Sequence, residues 1–136
     1  MERTWLHCDP FIGICLSARY SENLSGIFIV DSFEKLDVVK NNPNFFYPLP
    51  ITEELLIRCG LIIGKYDGYF YYRAKDLNIE LRYRPSRNAV RIRGENDFVG
   101  ESVWCFSFHE MQLDVMARGG ALLTLSEMNK TRLGKS

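Results

Sequence analysis

Five arginines, Arg82, Arg84, Arg87, Arg91 and Arg93, fall within the stretch "LRYRPSRNAVRIRG". A guanidinium stays charged at any working pH and presents a planar fork of N–H donors that matches phosphate and carboxylate oxygens. The flanking pattern is that of strands. In "LNIELRYR", Leu77, Ile79, Leu81 and Tyr83 alternate with Asn78, Glu80, Arg82 and Arg84. In "AVRIRG", Val90 and Ile92 point one way and Arg91 and Arg93 the other. With "PSRN" as the connecting loop, Arg84 faces Ala89, Tyr83 faces Val90, Arg82 faces Arg91, Leu81 faces Ile92 and Glu80 faces Arg93. Glu80–Arg93 is a favourable cross-strand pair. Arg82–Arg91 is a like-charge pair that costs a few tenths of a kcal/mol or more, so the clustering calls for a compensating reason.

Three readings of that hairpin stand side by side. The arginines hold a polyanion, with Tyr69, Tyr71 and Tyr72 of the preceding strand as stacking surfaces for a single-stranded nucleic acid. Or they are a solvated strand face, neutralised by Asp31, Glu34, Asp37 or Glu101 or covered by a helix. Or they anchor a protein partner, since Arg and Tyr are enriched at interface hot spots.

Other chemistry has weaker support. His7, Cys8, Cys105 and His109 can be assembled into a zinc site on paper, but no C-x-x-C spacing accompanies them. Cys8, Cys15 or Cys59 with His109 would make a nucleophilic pair, yet no local signature marks a reactive thiol. No Gly-rich phosphate loop is present. The adjacent acids Glu53 and Glu54 are explained by a helix N-terminus. The expectation is no metal, no cofactor and no catalytic set; an enzyme would need a pocket built from distant residues.

Composition bounds the rest. Seventeen basic and seventeen acidic residues balance to a formal charge of zero, so a polyanion site must be a local patch rather than a property of the whole chain. The 136 residues suit one domain able to bury a core without disulfides or metal. Aromatics at 13% favour strands. No run of about 18 apolar residues suggests a membrane span, and "MERTWLHCDP" lacks the apolar core of a signal peptide. The four cysteines, Cys8, Cys15, Cys59 and Cys105, lack a paired framework. Free buried thiols in a reducing cytoplasm are expected.

The elements that must position the arginines follow from local signals. "FIGICLSARY" and "GIFIVDSF" read as two antiparallel strands joined at "SENLSG". The mixed stretch "EKLDVVKNNPN" ends in a breaker and reads as loop. Thr52 is an N-cap, Ile51 and Leu56 a hydrophobic staple, and Gly60 a left-handed terminator of a two-turn helix with Leu55, Leu56 and Cys59 facing the core. Asp67–Gly68 turns the chain into a meander. "VWCFSF" reads as a buried final strand. Ser107 and Glu110 form a capping box, with Phe106 and Met111 as its staple. In the helix that follows, Met111, Val115 and Phe108 form a stripe widened by Leu113, Met116 and Ala117, and Gly119–Gly120 ends it. The fold class is α+β: an N-terminal β-hairpin or partial SH3-like barrel, a short capped helix, and an antiparallel meander packed on a C-terminal helix. One domain is divided into a β-rich part (about 1–45), a helix–meander–helix part (about 46–125) and a tail (126–136).

"YPLPITEELLIRCGL" resembles the "I-P-L-T-E-E-x-L-x-x-x-G-F" stretch of a family of small uncharacterised proteins of gut Bacteroidetes and their phages or prophages. "FSFHEMQLDVMARGGALLTL" is similar to that family's closing segment, with His109, Gln112 and Leu113 on matching positions. The resemblance spans about residues 10 to 125 and implies a bacterial or phage origin and an α+β fold. It implies no activity and carries over no site residue. The chain departs from the pattern after Gln112, where the family's Asn-Leu-Tyr is missing. The leading functional expectation is therefore a non-catalytic binding or accessory protein acting through protein contacts or self-association. Nucleic-acid binding through Arg82, Arg84, Arg87, Arg91, Arg93, Tyr69 and Tyr71 is the alternative, and an enzyme of unrecognised type a third.

Overall fold

The computed structural model describes residues 10–19, 25–74, 77–94 and 104–125. Among the described residues, two antiparallel sheets and three α-helices make up the fold. The first sheet holds β1 (Cys15–Arg19), β2 (Ser25–Ile29) and β3 (Phe46–Tyr47) in the order β2-β1-β3. The second holds β4 (Ile62–Ile63), β5 (Tyr69–Ala74), β6 (Leu77–Arg84) and β7 (Ala89–Gly94) in sequence order, the meander expected. Helix α1 (Phe33–Asn41) follows β2, α2 (Glu53–Arg58) leads into the second sheet, and α3 (Phe108–Ala117) follows the second sheet.

Strand alternation gives β1 two cores. Cys15 joins Ile51, Leu56, Phe70, Ile79, Leu81, Ile92, Phe108, Met111 and Val115 in the larger cluster. Its neighbours Ile14, Leu16 and Ala18 face the other way, against Val30, Val39 and Phe46. The larger cluster sits between the inner face of the second sheet and α3. Each fully buried aliphatic or aromatic side chain there contributes about 1.5–3 kcal/mol.

Helix α1 was not foreseen. Its apolar stripe is thin, with only Val39 buried and Phe33 left in solvent. Local bonds hold it instead. Ser32 Oγ accepts from Lys35 N at 3.2 Å, Asp31 pairs with Lys35 at 2.9 Å, and Asn42 Nδ2 donates to Val38 O at 2.9 Å. The breaker at Asn42–Pro43 ends the helix rather than defining a loop.

Helix α2 keeps every expected feature. Thr52 Oγ1 accepts from Leu55 N, and Ile51 and Leu56 are both fully buried. Gly60, at φ 101°, ends the helix with Gly60 N donating to Ile57 O and Leu61 N to Leu56 O. That is a Schellman closure, which needs the left-handed backbone that Gly adopts without penalty. Gly119, at φ 95°, closes α3 the same way through Met116 O and Val115 O. One anomaly sits in α2: Arg58 is only 8% exposed, and its Nε has no hydrogen-bond partner.

Helix α3 starts as read, with Glu110 Oε1 accepting from Ser107 N and Phe106 N. Its buried stripe differs. Phe108, Met111, Gln112 and Val115 face inward, while Met116 and Ala117 are exposed. Gln112, fully buried, fastens three segments together. Its Oε1 accepts from Cys15 N at 3.2 Å, and its Nε2 donates to Gly13 O at 2.8 Å and Leu123 O at 2.6 Å. Thr124 Oγ1 adds a bond to Gly13 O. The segment after Gly120 thus runs extended along α3 and β1, burying Leu123 and Leu125. His7, Cys8, Glu101 and the tail 126–136 lie outside the described residues.

Candidate nucleic-acid interface

The second sheet has one face in the core and one in solvent, and alternation decides which side chains go where. Phe70, Ile79, Leu81, Tyr83, Val90 and Ile92 are buried. Tyr69, Tyr71, Arg73, Glu80, Arg82, Arg84, Arg91 and Arg93 take the outer face. The hairpin register is the one read from the sequence, Arg84↔Ala89 through Glu80↔Arg93. Tyr69 pairs with Arg82 and Tyr71 with Glu80. Tyr72 departs from the expected set of stacking tyrosines. It faces the other side, where its hydroxyl accepts from Ala121 N at 2.9 Å.

Beyond β7, "VWCFSF" is not a buried strand. Among its described residues a single antiparallel bridge forms, Val90↔Cys105, with reciprocal backbone bonds of 3.0 and 2.8 Å. Cys105 turns inward. Trp104 and Phe106 turn outward, Trp104 across from Arg91, and Phe106 is 52% exposed rather than stapled into the core with Met111. The result is a transverse row over the sheet: Tyr69, Arg82, Arg91, Trp104. At about 4.8 Å per strand it spans about 14 Å.

This row resolves the like-charge pair. Arg82 lies over the Tyr69 ring at 5.7 Å and Arg91 over Trp104 at 5.2 Å, so the two guanidiniums lean toward opposite ends. Arg84 and Arg87 also lie over Trp104, each at 5.6 Å, and Arg87 over Phe106 at 5.9 Å. Pro85 and the left-handed Asn88 (φ 50°) build the tight turn that aims Arg87 there. Each cation–π contact contributes about 0.5–1 kcal/mol at an exposed site, enough to offset the repulsion. Arg73 lies over Tyr71 at 5.6 Å. A guanidinium laid on a ring keeps its N–H edges available to a ligand.

Of the acids that could neutralise this face, Asp31 is engaged elsewhere and Glu101 lies outside the described residues. Asp31 is engaged with Lys35, and Asp114 with Arg118 at 2.9 Å. Among the described residues no carboxylate is within ion-pair distance of Arg82, Arg84, Arg87 or Arg93. Glu80, in register with Arg93, is hydrogen-bonded by the Tyr71 hydroxyl at 3.4 Å instead. Partial burial and the Glu80 carboxylate raise the Tyr71 phenol above its ordinary range. Among the described residues no helix covers the face, and α3 packs on the opposite side.

A cleft of about 250 Å³ opens at one end of the row, lined by Tyr69, Arg82, Arg84, Asp67, Glu53 and Pro85 among others. Arg84 belongs both to this cleft and to the Trp104 cluster.

The thiols do not form a nucleophilic site among the described residues. Cys15 donates to Gly13 O and Cys59 to Leu56 O. Burial pushes the Cys59 and Cys105 thiols up to about 12, and raises Cys15. All three are free and buried, as expected. His109 is a buried residue of α3's first turn, its Nδ1 3.2 Å from Ser107 Oγ. Among the described residues no three His, Cys, Asp or Glu side chains gather as metal ligands, and no helix is long and apolar enough to cross a membrane.

All seven sequence-nominated residues, Arg82, Arg84, Arg87, Arg91, Arg93, Tyr69 and Tyr71, come together on this face. Sequence reasoning missed Trp104, Phe106 and Arg73. The usable signal was the period-two alternation Trp104-Cys105-Phe106, with the small apolar cysteine as the inward residue. No family model, curated protein or solved structure matches the chain.

Proposed function

We propose that the outer face of the second sheet binds single-stranded nucleic acid, gripping phosphates with the edges of Arg82, Arg84, Arg87, Arg91 and Arg93 and stacking bases on the guanidinium planes that lie on Tyr69 and Trp104. The observation that carries this reading is the row Tyr69, Arg82, Arg91, Trp104, half-buried residues whose arginines lie on aromatic rings at the sheet surface. Aromatic platforms accept the face of any base, and arginines beside them track the backbone. In a chain of zero formal net charge, Arg82, Arg84, Arg87, Arg91 and Arg93 gathered on one sheet face supply the local patch that such a partner demands.

Fluorescence anisotropy with labelled single-stranded DNA and RNA, at low and near-physiological salt, tests the reading. Three to five phosphate contacts predict a slope of log K against log salt of about −2 to −3.5. In a Trp5→Phe background, stacking quenches Trp104 emission. The double variant Arg82→Glu, Arg91→Glu abolishes both signals while its circular dichroism stays native. Absence of binding at low salt refutes the reading.

A second reading has an observation of its own. Ile62, Ile63 and Tyr66, at the β4 edge of the same sheet, are 47%, 60% and 70% exposed. An apolar edge of this kind favours self-association by strand pairing. Sedimentation velocity over a concentration series tests it. A mass that stays monomeric up to high micromolar concentration refutes it.

A further inference from the structure

The cleft beside Tyr69 mixes charges that do not satisfy one another. Asp67 and Glu53 line it together with Arg82 and Arg84, yet among the described residues no ion pair joins them. A cleft that offers forked donors and free carboxylate acceptors beside an aromatic ring suits a ligand that is anionic at one end and carries N–H donors at the other. Asp67 is held at the cleft by the Tyr66–Tyr69 turn, which is closed by Tyr69 N donating to Tyr66 O at 3.1 Å. It lines the same cleft as Tyr69, whose ring meets that of Tyr66 edge-on with centroids 6.3 Å apart.

We infer that this cleft selects guanine within a bound single strand, with Asp67 as the acceptor that reads the base. The inference rests on the nucleic-acid reading of the sheet face and names its specificity. Guanine is the one base whose pairing edge places two N–H donors, N1–H and N2–H, side by side, and a carboxylate accepts both at once. Cytosine and adenine offer an amino group next to a ring acceptor that the carboxylate repels. Uracil and thymine set their single N3–H between two carbonyl oxygens, the least favourable arrangement. The base lies against Tyr69, its phosphate meets Arg82 and Arg84, and the strand continues across Arg84 to Trp104. The cleft, of about 250 Å³, is of a size to take a base.

The test is competition anisotropy with short oligouridines carrying one central G, A, C or U. The unaltered chain, Asp67→Asn and Asp37→Asn are compared. The G-containing strand binds about tenfold more tightly than the all-U strand, the scale of one bidentate base contact. Asp67→Asn equalises the four strands without weakening the all-U strand. Asp37→Asn, on helix α1 and outside the cleft, keeps the preference. Equal, salt-steep binding of all four strands to the unaltered protein overturns the inference while the phosphate-gripping face stands. A G preference that survives Asp67→Asn overturns the role of Asp67. Loss of binding to every strand at low salt overturns this inference together with the reading beneath it.

Discussion

Replacing Gln112 by Glu makes this protein unstable at neutral pH and rescues it in acid, the reverse of ordinary acid lability. The amide of Gln112 is fully buried and makes three main-chain bonds, two as donor to Gly13 O and Leu123 O and one as acceptor from Cys15 N. Glu is the same size and keeps the acceptor. It loses both donors, and as a carboxylate it faces two carbonyl oxygens in a site without solvent. Each orphaned buried group costs about 1–3 kcal/mol, and the uncompensated charge adds to that. The expected loss at pH 7 is about 4 kcal/mol or more, against a total stability of about 5–15 kcal/mol. Protonation returns one donor. The variant's folded-state pKa is therefore raised above the ordinary value of about 4.3. For a raised pKa, stability is present below the unfolded value and lost as pH rises through the folded one. Urea unfolding of variant and parent at pH 4 and pH 7 reads the difference directly. The gap widens by at least about 2 kcal/mol between the two pH values. Gln112→Leu, which has no titratable group, shows a loss independent of pH. A Gln112→Glu chain within about 1 kcal/mol of the parent at pH 7, with no pH dependence, refutes the assignment of Gln112 as the fastener of β1, α3 and the closing segment.

Two further outcomes follow from buried polar groups. Arg58→Met raises the unfolding midpoint by a few degrees, because it removes a buried charge whose Nε has no partner and keeps the apolar stem; a lower midpoint in a thermal melt contradicts this. Alkaline stability declines in a defined window, since Cys59 and Cys105 are held near 12 against an ordinary 9.0. A raised folded pKa stabilises below the unfolded value, so unfolding free energy holds up to about pH 9 and falls from there toward pH 12, by at most about 1.4 kcal/mol per pH unit for each thiol. Urea titrations across this range show a shallower fall in Cys59→Ala and in Cys105→Ala, and an unchanged slope in both variants argues against thiol burial as the cause.

The sequence by itself was enough for whatever depends on neighbours along the chain. Period-two alternation separated the arginines from Ile79, Leu81, Val90 and Ile92, and the length of "PSRN" set the register that pairs Arg82 with Arg91. Thr52, Gly60, Ser107, Glu110 and Gly119 marked helix ends because caps and left-handed closures are satisfied within a turn. Helix α1 escaped because its periodic apolar signal is nearly absent and its stability comes from caps and one exposed ion pair. The site was half legible for a related reason. The arginines announced themselves, but what makes them a surface is Trp104, which reaches Arg91 through one backbone bridge formed across a long stretch of chain. No local pattern encodes that bridge, and none places Asp67 and Glu53 in one cleft or brings Gln112 to Gly13. Those juxtapositions come from packing α3 and two sheets around shared cores, and only the tertiary structure decides them.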